Sequence, residues 1–168
     1  MEHVDYLAKA EDAMKQIKRG AFLTVQSHDT VNMMTIGWAS IGFLWGRPVL
    51  TVMVRKSRYT YELIEKSNEF TVSVPQVDMT KALEICGTKS GRDLDKLQAC
   101  SLELFPGEKV KTPIVKLPGI HFECAIVYKS PTDPQLLVDS YKHLYPDKDY
   151  HTFYYGEIKY CYTTTDEE

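Results

Sequence analysis

The densest concentration of reactive side chains is Arg55-Lys56-Ser57-Arg58-Tyr59-Thr60, directly after the apolar run Val49–Val54. Arginine supplies a planar donor fork, and Ser57 and Thr60 supply short hydroxyl donors. A helix opening near Thr60 would add the free N–H groups of its first turn, completing the ingredients of a phosphate clamp. The same residues equally fit a solvated basic turn in which Ser57 or Thr60 caps the helix.

Two further clusters carry usable groups. Asn32-Met33-Met34-Thr35-Ile36-Gly37-Trp38-Ala39-Ser40 sets amide, hydroxyl, thioether and indole groups at the start of a strand. That mixture seats a planar heterocycle on an apolar floor with a few aligned hydrogen bonds, or it is an ordinary strand entrance with Met34 and Trp38 in the core. Cys86-Gly87-Thr88-Lys89-Ser90-Gly91-Arg92-Asp93-Leu94-Asp95-Lys96 offers two glycines for tight turns, and hydroxyls with Arg92 and Lys96 for an anion. It matches neither GxxxxGK[ST] nor GxGxxG, so nucleotide hydrolysis and a Rossmann NAD fold lack their signatures.

Other sites lack a completing pattern. His28-Asp29 and Asp147-Lys148-Asp149 read as polar turns, and spacing alone does not place His143 and His151 in a pocket. No nucleophile elbow is present. Cys86, Cys100, Cys124 and Cys161 are scattered without a CxxC pair, which argues for reduced thiols and no metal site.

These clusters need elements to hold them. Tyr6, Ala10, Ala13, Met14 and Ile17 recur at helical spacing ahead of Gly20, so residues 5–19 form an amphipathic opening helix. Strand-like runs follow at Ala21–Gln26, Met34–Ile41, Val49–Val54 and Phe70–Val74, with longer ones at Ile120–Lys129 and Thr152–Tyr162. In the fifth run Ile120, Phe122, Cys124, Ile126 and Tyr128 alternate with His121, Glu123 and Lys129. Short helices are expected at Thr60–Lys66, at Met79–Ile85 behind Asp78, and after a Ser90/Asp93 capping box, with Leu94 and Leu97 as its anchors.

Many short strands without βα repetition point to a mainly β fold, a closed or nearly closed antiparallel barrel with an N-terminal helix and short peripheral helices. The 168 residues suit one domain, spanning 1–168, with Thr165-Asp166-Glu167-Glu168 as a frayed end. With 20 basic and 23 acidic residues the net charge is −3, which disfavours nucleic acid as a partner. Met1-Glu2-His3-Val4-Asp5 lacks the basic and apolar blocks of a secretory signal, and no apolar run approaches bilayer length. A cytoplasmic location without membrane association is expected.

Taken in order, Asn32-x-Met34-Thr35, Trp38, Pro48, Arg55-x-Ser57-x-x-Thr60, Phe70-x-Val72, Ser90-Gly91-x-x-x-x-Lys96 and His151-Thr152-x-x-x-Gly156-Glu157-Ile158 resemble the flavin-reductase-like family of FMN-binding split barrels, particularly its flavoredoxin-like branch. The resemblance runs from about Phe22 to Tyr160. It implies a Greek-key split barrel that forms a homodimer with FMN in a groove near the subunit interface. Asn32 and Thr35 would touch the isoalloxazine ring. Val54 and Arg55 would line the inner side, with Arg55, Ser57 and Thr60 around the phosphate. Ser90 and Lys96 would close the phosphate or ribityl side, and Gly91 would let the backbone pass close.

No side chain is required as a nucleophile; the flavin carries the redox step. The implied activity is hydride or electron transfer from NADH or NADPH through FMN to a flavin or other acceptor. The alternative is an FMN-containing electron carrier reduced by a redox protein partner. Cys86 is either a thiol near the flavin or a buried structural cysteine.

Overall fold

The computed structural model describes residues 1–165; of the end Thr165-Asp166-Glu167-Glu168 expected to fray, all but Thr165 lies outside the described residues. Chain order is β1 (Glu2–His3), α1 (Tyr6–Ile17), β2 (Ala21–Ser27), β3 (Thr30–Ile36), β4 (Ala39–Leu44), β5 (Arg47–Arg55), α2 (Tyr59–Ile64) and β6 (Glu69–Pro75). Then come α3 (Thr80–Thr88), α4 (Lys96–Cys100), β7 (Leu104–Phe105), β8 (Ile114–Val115), β9 (Gly119–Pro131), α5 (Asp139–Lys142) and β10 (His151–Thr164). Asp5 starts α1 by accepting the Leu7 N–H at 2.7 Å.

Among the described residues, eight strands form one antiparallel sheet along the path β3-β2-β6-β9-β10-β5-β4, with β1 added against β10, and β7 pairs β8 in a separate two-stranded sheet. The path does not close, because its two end strands β3 and β4 are not paired to each other. This is the split of the barrel, and it corrects the sequence reading of Met34–Ile41 as one strand. The run breaks at Gly37-Trp38, sending β3 onto β2 and β4 onto β5 at opposite ends of the sheet. Hydropathy alone does not register the break, because both sides of it are apolar.

Both long strands bind two neighbours. β9 pairs β6 and β10, and β10 pairs β9 and β5, with register shifts at Tyr155/Gly156 and Ile158/Tyr160 that bend it around the barrel. Gly156 sits at the first shift because a Cβ there would meet Phe70 Cζ at 2.6 Å and Cys124 Cβ at 2.7 Å. The core is filled by Leu23, Val25, Leu50, Val52, Phe70, Val72, Phe122 and Tyr154. A second layer places Phe22 and Met33 against Ala82, Leu83 and Cys86 of α3 and against Val115 and Leu117. With both faces covered, β2 is buried continuously from Ala21 to Val25 rather than on alternate residues.

The alternation read for β9 puts His121 and Glu123 opposite the apolar set, yet both are buried. Glu123 accepts the backbone N–H groups of Glu108 (2.8 Å), Lys109 (2.6 Å) and Val110 (3.1 Å), so its carboxylate folds residues 108–110 over the sheet. The capping box is also corrected. Ser90 Oγ accepts only the Arg92 N–H, at 3.1 Å, within a turn, and the helix begins at Lys96, where Asp95 accepts the Gln98 N–H at 3.1 Å.

Candidate functional site

The barrel's split opens a cleft of about 190 Å³ lined by Met34, Thr35, Ile36, Gly37, Trp38, Met53, Arg55, Arg58 and His151. One wall is the break between β3 and β4; the other is where β5 and β10 pair, with His151 opposite Arg55. Met34, Ile36, Met53 and Trp38 form the apolar part. Trp38 leans over His151 with ring centroids 5.1 Å apart.

Two guanidinium groups give the cleft its positive charge. Arg58 donates from Nη1 to the Gly87 carbonyl (3.0 Å), tying the cleft to the end of α3. Arg55 donates from Nη1 to the Asp149 carbonyl (2.9 Å) and from Nη2 to the Leu144 carbonyl (3.1 Å), and its guanidinium lies 4.9 Å from the Tyr145 ring centre. His151 is buried, and burial followed by the charge of Arg55 pushes its pKa down to about 4. Tyr145, whose own pKa is raised by burial, hydrogen-bonds His151 Nδ1 at 2.8 Å.

A second hollow of about 470 Å³ lies beside Val31, Asn32, Met33 and Gly91–Leu97. Of the residues assigned from sequence, Thr35 and Arg55 line the cleft, and Asn32, Gly91 and Lys96 line this hollow. Asn32 Nδ2 donates to the buried Thr60 hydroxyl at 2.8 Å. Gly91 packs against Asn32 so closely that a Cβ would stand 2.0 Å from Asn32 Oδ1. Lys96 is only 6% exposed, and its ammonium donates to the Met33 and Cys86 carbonyls, each at 2.9 Å.

Thr35 donates its hydroxyl to the Leu83 carbonyl at 2.6 Å. Val54 is fully buried in the core. Ser57 and Ser90 lie at the surface; Arg92 joins Glu62 and stands over the Tyr59 ring at 5.1 Å. Cys86 is buried in the second core layer, and burial pushes its thiol up to about 12, so it is held as a neutral thiol. Trp38, Met53, Arg58, Tyr145 and His151 were not assigned from sequence. Arg58 stood in view within the basic cluster, and Trp38 and His151 within the motifs, but Met53 reaches the cleft only through the β5–β10 register. Among the described residues no metal-binding cluster occurs, and no helix is long and apolar enough to cross a membrane.

An antiparallel split barrel with a cationic, partly apolar cleft at its seam defines the class. The family model described as flavin reductase like domain matches residues 14–168, and the chain belongs to that flavin-reductase-like family, in its flavoredoxin-like part. It is 31% identical over 157 residues to an uncharacterized protein of Archaeoglobus fulgidus, covering 88% of each chain. It is similar to flavoredoxin from Methanosarcina acetivorans, with 30% identity, a TM-score of 0.69, and coverage of 86% of this chain and 68% of that one. An FMN-binding domain of a flavin-reductase-like enzyme from Shewanella baltica shares the fold, with a TM-score of 0.70, 23% identity, and coverage of 97% and 78%.

Proposed function

We propose that the cleft at the barrel's split binds FMN and that the protein is a cytoplasmic flavoprotein oxidoreductase. It would pass hydride or electrons from NADH or NADPH through the flavin to a flavin or other acceptor. The observation that carries this reading is the composition of the cleft: thioethers and an indole beside Arg55, Arg58 and a neutral His151. A planar, partly apolar ring bearing negative charge fits such walls.

FMN, when bound, supplies the redox-active ring. The chain's own residues position it. Met34, Met53 and Trp38 would hold its apolar face, and the Asn32–Thr60 pair and Gly91 would shape the second hollow beside it. Arg55, Ser57 and Thr60 would be the donors for the phosphate. The two guanidinium groups favour negative charge on whatever occupies the cleft.

The likeness to a flavoredoxin supports a second reading, an FMN-containing electron carrier reduced by a protein partner. A homodimer is part of the proposal. It is supported by an exposed apolar face where Leu44, at the end of β4, and Trp45, in the turn after it, adjoin Val127 and Tyr128 of β9.

The test is flavin titration of the apoprotein with FMN, FAD and riboflavin, then anaerobic mixing of the FMN form with NADH and NADPH. Tightest binding to FMN with bleaching by a nicotinamide supports the oxidoreductase. Retained FMN that bleaches only with a reduced protein donor supports the carrier. Clearly tighter FAD binding removes the FMN assignment.

A further inference from the structure

One donor assigned to the phosphate, Ser57, already holds an anion that belongs to the chain itself, and another, Arg55, is engaged by two backbone carbonyls. Asp149 accepts the Ser57 N–H at Oδ1 (3.2 Å) and the Ser57 hydroxyl at Oδ2 (2.5 Å). Its backbone carbonyl takes Arg55 Nη1, and the Leu144 carbonyl takes Arg55 Nη2. Arg55, which lines the cleft, and Ser57 therefore fasten the segment Leu144–Asp149. Carboxylate and phosphate offer oxygen acceptors of like charge to the same donors, so both cannot occupy Ser57 together.

We propose that Asp149 is the specificity-determining residue of this site: its carboxylate competes with the cofactor phosphate for Ser57. The competition lowers the advantage of FMN over riboflavin and makes the cofactor exchangeable. The inference rests on the assignment of FMN to the cleft. Riboflavin carries the same ring and ribityl chain without the phosphate, so it leaves the Ser57–Asp149 contact undisturbed.

The experiment uses the full chain and its Asp149→Asn and Asp149→Ala variants. Each is titrated with FMN and riboflavin by fluorescence quenching, and amide hydrogen exchange is followed over residues 142–150. Hydrogen bonds to a charged group set the scale, so both variants should bind FMN about tenfold tighter while riboflavin changes less than about twofold. In the parent, FMN should speed exchange across Leu144–Tyr150 and riboflavin should not. An unchanged FMN-to-riboflavin ratio overturns the competition, as does weaker FMN binding in both variants. If neither flavin binds the parent, the assignment of FMN fails and the inference falls with it. FMN binding with an unaltered ratio removes the inference alone.

Discussion

Asn32 and Thr60, 28 residues apart in sequence, are joined inside the protein by a 2.8 Å hydrogen bond from the Asn32 amide to the Thr60 hydroxyl. The bond ties β3 to the first turn of α2, and Gly91 closes over Asn32 from the far side. Thr60→Val keeps the shape and removes the acceptor, leaving a buried amide donor unpartnered. It should destabilise the fold by about 1–3 kcal/mol in urea denaturation. Adding Asn32→Leu should recover part of that loss, because the orphaned donor goes with it.

Gly91 and Gly42 make a contrasting pair. A Cβ at Gly91 would stand 2.0 Å from Asn32 Oδ1 and 3.1 Å from Tyr59 Cδ1, whereas one at Gly42 meets nothing within 4 Å. Gly91→Ala should cost about 1–3 kcal/mol and shift the near-ultraviolet signal of the tyrosines. Gly42→Ala, on the end strand β4, should leave thermal stability unchanged or slightly raised.

Two buried histidines should make stability fall in mild acid. His121 has no exposed surface: Nδ1 meets Ser73 Oγ at 3.1 Å and Nε2 meets Thr164 Oγ1 at 2.8 Å, and burial lowers its pKa to about 4. His151 is lowered to about 4 as well. Because the unfolded chain binds these protons nearer pH 6.5, the stabilisation is complete above about 6.5 and is lost as pH falls toward 4. For His121 the loss is on the order of 3 kcal/mol. Urea midpoints from pH 7.5 to 4.5 measure it, and His121→Gln should flatten the slope, whatever it does to the midpoint at neutral pH.

The β4–β5 hairpin offers a clean probe of assembly. Trp45 and Gly46 form its two-residue turn, with φ of 51° and 70°, and Trp45 is 64% exposed with its ring in T-shaped contact with Tyr128 and Tyr155. Tryptophan is poorly suited to positive φ, and asparagine before glycine is the preferred pair for such a turn. Trp45→Asn should therefore leave the monomer as stable or gain about 0.5–1 kcal/mol. The same change should weaken the proposed dimer by roughly thirtyfold or more in light scattering across concentration. Unaltered association would move the dimer seam away from this face.

What the sequence made legible follows from the range of the forces involved. α1 and the strands β2, β5, β6, β9 and β10 came within a few residues of their observed bounds, because propensity and apolar spacing are local. The segments carrying β7, β8 and α5 escaped notice; the connection between the first two is held by carboxylates from other strands. Glu123 gathers residues 108–110, and Glu69 accepts the Thr112 N–H at 2.7 Å. The cleft was half legible. Thr35, Trp38, Arg55 and His151 stood in recognisable motifs, whereas Met53 reaches the cleft only through the β5–β10 register and Tyr145 meets its lining only through the bond to His151.

The order of strands around the barrel also dictates when its parts can form. β5 can pair with β4 as soon as their shared turn is made, but its other edge waits for β10. That partner is synthesised only roughly 100 residues later, a delay of several seconds at ribosomal speed. Through that interval Val49, Leu50, Val52 and Val54, all buried in the finished protein, belong to a hairpin with an open edge. Refolding from denaturant should accordingly be limited by docking of the last long strand, and expression at low temperature or with a holding chaperone should favour the soluble product.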